Sequence, residues 1–226
     1  MKILSTLTTI SAFACVNAMA AVIVPISATS TGTQNEPGDA GTTLDALING
    51  SGISGTIADD ATAGGATHTV GTLTNYWTTT AQGAGDYFAN IAPDTLQIDF
   101  ALDQAYDITR IMFWGYDPGF GAEATENTPT DITVSYSTDG LVFGSPQTIN
   151  PTIGAGAAQV FAVTGAPSGT TAVRFLINDN GRDDVGAGGD RVGFGEVRFG
   201  GTAIPEPSSA MLLGICGLGL ALRRRK

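Results

Sequence analysis

The side chains able to do chemistry are few and unevenly placed. The chain has one histidine, His68, in the loop-like run Gly64-Gly65-Ala66-Thr67-His68-Thr69, and its two cysteines, Cys15 and Cys216, lie near its ends. A Ser-His-Asp arrangement would have to use His68, and no serine is framed by a strand–turn–helix elbow. A lone histidine in a polar loop is expected to be solvated, and a histidine-based zinc site lacks ligands. A carboxylate pair for glycoside hydrolysis stays open, yet no spacing singles out two of the acids. Sugar recognition is better supplied, because it combines an aromatic platform with planar hydrogen-bonding groups. Tyr116, Asp117 and Phe120 follow the apolar run ending at Trp114, with Tyr87, Arg182 and Arg191 contributed by other loops. Trp77 and Trp114 are expected inside. The expectation is binding without catalytic residues.

Charge narrows the partners. Lys+Arg number 10 against 21 Asp+Glu in 226 residues, and half of the cations sit at the extreme ends. Residues 21–204 keep five arginines, no lysine and 20 acids, a net charge of −15. Such a surface repels phosphate backbones and excludes nucleic acid as a partner. It also disfavours insertion of exposed aromatics into anionic lipid.

The two ends carry targeting signals. Residues 1–20 open with Lys2, run apolar from Ile3 to Val16 and close on Ala18-Met19-Ala20. This pattern predicts a secretory signal helix cleaved after Ala20. Ser5, Thr6, Thr8, Thr9 and Ser11 dilute the run too far for an anchor, and Phe13-Ala14 before Cys15 is a poor lipoprotein box. At the other end Pro205-Glu206-Pro207 precedes the uncharged residues 208–222 and then Arg223-Arg224-Arg225-Lys226. As a helix that run would rise about 22 Å, a short transmembrane span against about 30 Å of hydrocarbon. The terminal charges would hold that end in the cytoplasm. Box, short span and basic cluster together resemble the PEP-CTERM sorting tail of Gram-negative bacteria. The resemblance implies processing by an exosortase, transient anchoring in the inner membrane, and delivery to the cell surface or beyond. With no cysteine between the two ends, the exported domain must fold without disulfides.

The elements that must position the candidate residues are strands. Residues 21–204 show no sustained 3.6-residue apolar period, and period-two runs recur instead. Leu96, Ile98 and Phe100 share one face, as do Ile132, Val134 and Tyr136, and again Val173, Phe175 and Ile177. Ile111-Met112-Phe113-Trp114 is apolar on both faces and suits a central strand. Ser137-Thr138-Asp139-Gly140 reads as a turn. Gly193 and Gly195 break the parity of the last strand, Val192 to Phe199, and suggest a bulge. The Thr/Gly/Ala-rich region 27–90 is expected to hold one or two short strands and long loops. Asn178-Asp179-Asn180-Gly181-Arg182-Asp183-Asp184 is rich in oxygens, but the spacing of an EF-hand loop breaks at Arg182. It reads as a solvated hairpin offering Arg and Asp at one end of the fold.

The order of these pieces resembles the discoidin, or coagulation-factor C-type, domain. The resemblance runs from Leu47-Ile48-Asn49-Gly50 through Asn75-Tyr76-Trp77, Leu96 to Phe100, Tyr106 to Ile111, Trp114-Gly115-Tyr116, Asp131 to Gly140 and Val173-Arg174-Phe175. It ends at Val192-Gly193-Phe194-Gly195-Glu196-Val197-Arg198-Phe199. It implies an all-β, antiparallel jelly-roll β-sandwich of the galactose-binding-like type, with ligand loops at one end. It also implies one structural Ca²⁺, held at Asn49 and Glu196, where Asn49 replaces the family's Asp and removes a charge. The expected division is a signal peptide at 1–20, an N-terminal segment at 21–43, the sandwich at 44–203 and the sorting tail at 204–226. The expected function is an exported envelope or matrix protein that binds extracellular polysaccharide. A purely structural surface protein is the alternative, and a glycan hydrolase a third reading.

Overall fold

The computed structural model describes residues 20–30, 43–81, 85–90, 96–154, 156–182 and 189–205. Most of the expected signal helix, Glu206, Pro207 and the apolar tail run, and residues 183–188 lie outside these. No helix of the described residues is long and apolar enough to cross a membrane.

In chain order the strands are β1 (Ala21–Ile23), β2 (Ser27–Ser30), β3 (Ile53–Ser54), β4 (Thr67–His68), β5 (Trp77–Thr78) and β6 (Gln97–Trp114). They continue with β7 (Pro129–Ser137), β8 (Gly144–Ile149), β9 (Gln159–Ala162), β10 (Thr170–Asn180), β11 (Gly193–Phe194) and β12 (Glu196–Ala203). Among the described residues, helix is limited to α1 (Tyr87–Asn90), α2 (Ala122–Thr125) and short 3₁₀ turns.

All strand pairs are antiparallel, and β6 belongs to both layers of a sandwich. Its first part, Gln97–Ala101, pairs with β2 on one side and β10 on the other, and β10 continues to β7 and β8. Its last part, Arg110–Phe113, pairs with β9 and with β12, and β12 continues to β1. Between them, around residues 102–106, the strand turns the corner from one layer to the other. The pairing explains why Ile111 to Trp114 is apolar on both faces: it is central and fully buried.

The alternating runs close the interior. Leu96, Ile98, Phe100, Ile132, Val134, Tyr136, Val173, Phe175, Ile177, Val197 and Phe199 are all buried in one cluster. Phe100 meets Phe175 at 5.1 Å within its layer and Phe199 at 6.0 Å across the interior, both edge to face. Such rings add about 0.5–1.5 kcal/mol per pair to the burial of their apolar area. Trp77 and Trp114 are buried too, and the Trp114 indole N–H donates to the Ala66 carbonyl at 3.2 Å.

Three features differ from the sequence expectation. The region 27–90 holds four short strands, β2 to β5, rather than one or two, because two-residue ladders are too short to show a period. Residues 21–30 are not a segment apart, because β1 and β2 are edge strands of the two layers. They are too short to show a period. His68 is buried rather than solvated. Its ring lies 4.5 Å from Tyr76, between Gly52 and Gly195, where a Cβ on either glycine would come within 2.8 Å of the imidazole. Of the two glycines that break the parity of the last strand, Gly195 therefore makes room for the His68 ring and divides β11 from β12, while a Cβ on Gly193 would meet Tyr116 and Thr78 at 2.9 Å.

Candidate binding cleft at the loop end of the sandwich

The connections 115–128 and 181–192 meet where β6 and β10 end and where β7 and β11 begin. Buried polar side chains hold their described parts, 115–128, 181–182 and 189–192, in place. The Asn127 Oδ1 accepts from Arg191 N–H at 2.9 Å, its Nδ2 donates to the Ala124 carbonyl at 3.1 Å, and its carbonyl accepts from Gly193 N–H at 3.0 Å. Asn180 Nδ2 donates to Asp190 Oδ1 and to the Arg191 carbonyl, both at 2.7 Å. Asp190 Oδ2 in turn accepts from Tyr87 N–H at 2.8 Å. Burial pushes the Asp190 carboxyl above the usual range, while the Asn180 and Tyr87 donors pull it back. Thr128 ties the other side, accepting from Tyr116 N–H at 3.0 Å and donating to the Thr125 carbonyl at 2.8 Å.

These loops enclose a cleft of about 650 Å³, within the range of small-ligand sites. Four of the six residues expected to bind a ligand line it: Tyr116, Phe120, Arg182 and Arg191. They do not contribute equally. Phe120 is 74% exposed, the most exposed large apolar side chain lining the cleft. Tyr116 is buried, edge-on to Tyr76 at 5.3 Å, and forms wall rather than platform. Arg182 is also buried. Its Nη1 donates to the Glu123 carbonyl at 3.0 Å, and its Nη2 lies 3.7 Å from the Glu123 carboxylate.

The other two candidates stand outside. Asp117 shapes the approach instead: its Oδ1 accepts from Gly119 N–H and its carbonyl from Gly71 N–H, each at 3.1 Å. Tyr87 belongs to the core, 5.1 Å from Phe88, where burial pushes its hydroxyl up to about 12. The candidate ligand contact at Tyr87 thus becomes a packing role, with only its backbone N–H serving the loop. The sequence reading missed Glu123, Asn127 and Leu73, which also line the cleft. Asn127 precedes a Thr-Pro pair and looks like an ordinary turn residue; only the fold reveals that it joins two loops. Among the described residues lining the cleft, Glu123 is the one carboxylate, and it faces a guanidinium. A glycoside-hydrolysing pair needs two.

The residues expected to hold calcium are close together but already engaged. Glu196, fully buried, accepts from Gly50 N–H at 3.0 Å through Oε2 and pairs through Oε1 with the Arg198 guanidinium. Burial pushes the Glu196 carboxyl up to about 7 against the pull of Arg198 and Gly50. The Asn49 Oδ1 accepts from Ser51 N–H at 2.7 Å. Calcium asks for six to eight oxygens, and no group of three or more His, Cys, Asp or Glu among the described residues could hold a metal ion. The positive charge beside Glu196 is supplied by Arg198, so these residues do not fit the ion.

Comparison with known proteins bears on the end of the chain. Residues 203–226 match the PEP-CTERM protein-sorting motif. The motif marks an exported protein, held transiently at a membrane. No curated relative matches the chain. Among solved structures it is similar to an F5/8 type C domain of a Bacteroides fragilis protein, at 15% identity and a TM-score of 0.40, over 57% of this chain and 74% of that one. A CBM32 domain of Clostridium perfringens, in complex with GalNAc-β-1,3-galactose, matches at 13% identity and 0.44, over 80% and 94%. The family 89 glycoside hydrolase of the same organism matches at 18% identity and 0.42, over 81% of this chain. The chain spans 16% of that hydrolase's length.

Proposed function

We propose that the protein is an exported component of the cell envelope or its matrix, delivered through its sorting tail, whose sandwich binds extracellular polysaccharide without catalysis. An exosortase is the processing partner this reading requires. The observation that carries it is the cleft. An exposed Phe120 ring lines it with the Glu123 carboxylate and the Arg191 side chain, over a buried Asn127 that ties the two connections together. A sugar ring presents an apolar face to such an aromatic and its hydroxyls to such planar groups. Among the described residues lining the cleft, Glu123 stands without a second carboxylate for an acid–base pair, and this supports binding over hydrolysis.

The test is a glycan array followed by polysaccharide pull-down with the full chain. Saturable binding that Phe120→Ala weakens about tenfold, at an unchanged melting temperature, is the expected result. Absence of any saturable glycan would leave a structural spacer. Sugar release abolished by Glu123→Gln would make the protein a hydrolase.

A further inference from the structure

The strand register fixes which end of the sandwich meets the membrane. β12 starts at Glu196, opposite Trp114 at the cleft end, and finishes at Ala203, opposite Tyr106 at the β6 corner. Eight residues of strand rise roughly 25 Å, so the sorting tail leaves the body about that far from the cleft. Ile204 N–H is still tied to the Ala105 carbonyl at 2.9 Å. Only residues 205–207 then separate the body from the uncharged run 208–222, a reach of at most about 11 Å. The tail end is therefore the part of the domain kept nearest the bilayer for as long as the chain is anchored.

That same end carries projecting apolar side chains. Ser137 closes β7 opposite Ala172, beside the β6 corner, so the β7–β8 turn projects from the tail end. At its tip Leu141 is 82% and Val142 74% exposed. The tip is held in shape: Asp139 Oδ1 accepts from the N–H groups of Leu141 at 2.8 Å and Val142 at 2.9 Å and from Ser137 Oγ at 2.9 Å. Ile26, exposed on the β1–β2 connection, sits at the same end, with its N–H bonded to the Ala101 carbonyl at 2.9 Å. These side chains are therefore presented to solvent on backbone that is already ordered.

We propose that this end is a lipid-facing surface: while the tail anchors the chain, Leu141, Val142 and Ile26 rest on the bilayer and the cleft points away from it. The occupant is lipid because the tether places a bilayer there. Three aliphatic side chains on a body of charge −15 are too few to hold a free protein on anionic lipid. The tether removes that difficulty by keeping them at high local concentration. The contact is lost when the tail is cut, so the surface serves the anchored stage alone.

The experiment uses the full chain with Cys15→Ser and Cys216→Ser, inserted through its tail into phosphatidylethanolamine–phosphatidylglycerol vesicles. An environment-sensitive dye is placed by Leu141→Cys, Ile26→Cys or Phe120→Cys, all exposed positions. Quenching by a lipid-borne nitroxide is expected at 141 and 26 and not at 120. Val142→Asp should reduce the quenching at 26 at least twofold without changing the melting temperature. Equal quenching at 120 and 141 would overturn the orientation, and none at 141 in inserted protein would overturn the lipid contact. No glycan takes part, so failure here leaves the cleft's ligand untouched, and failure of the glycan test leaves the orientation untouched.

Discussion

The two ends of the sandwich are capped by the same strands and differ in what joins them. At the cleft end the connections 115–128 and 181–192 are long and bury Asn127, Thr128, Asn180, Arg182 and Asp190. At the tail end the β7–β8 turn is short, and its tip is bonded to itself through Asp139. A long loop needs internal polar partners to keep one shape, because each residue it orders costs backbone entropy. Once it has them it can enclose a concave site. A tight turn needs few such partners and leaves its apolar tip projecting.

The largest effect is expected at Arg198. Arg198→Ala leaves Glu196 buried without its counter-charge, and a loss of about 3–5 kcal/mol in urea unfolding is expected. Calcium or a chelator should leave the wild-type melting temperature unchanged, because the guanidinium already neutralises Glu196. A rise of several degrees with calcium would reject that account. Next comes Asn127→Ala, which unties the two cleft loops; it should cost about 1–3 kcal/mol and abolish glycan binding together.

Two buried groups near Gly52 and Gly195 give opposed pH responses. Glu196 has its folded pKa raised from 4.5 to about 7, so its protonated form stabilises the fold at low pH, and that stability is lost as pH rises from about 4.5 to about 7. Burial depresses His68 below its usual 6.5, so its contribution is present above that value and is lost as pH falls. His68→Gln should therefore uncover a stability that rises on acidification from pH 7 to pH 5, and Glu196→Gln one that falls. Urea unfolding across that range reads both, and identical profiles for the two variants would contradict the assignment. The smallest stability effects belong to the exposed tips. Phe120→Ala and Leu141→Ser should each change stability by under about 0.5 kcal/mol, whereas only the first weakens glycan binding.

The sandwich was legible because alternation is a property of single strands. Ile98 and Phe100, or Val173 and Phe175, point inward wherever the strand is placed. Tyr87 and Arg182 stand out by chemical type, and type does not report depth; one packs in the core and the other lies buried behind Glu123. The neighbourhood of Glu196 carries a clue in the sequence itself. Arg198, two residues on, shares its face of the strand and is the nearest cation to it. β1 and β2 escaped notice because three or four residues carry too little period, and their place is set by long-range pairing with β12 and β6.

The position of β12 also governs how the domain answers a mechanical load. It leaves the body along its own axis with β1 on one flank and β6 on the other, and its ladder bonds run across that axis. A pull transmitted through the tail therefore shears two ladders at once instead of unzipping one bond at a time. A domain tugged by whatever it has bound resists best when loaded in that direction.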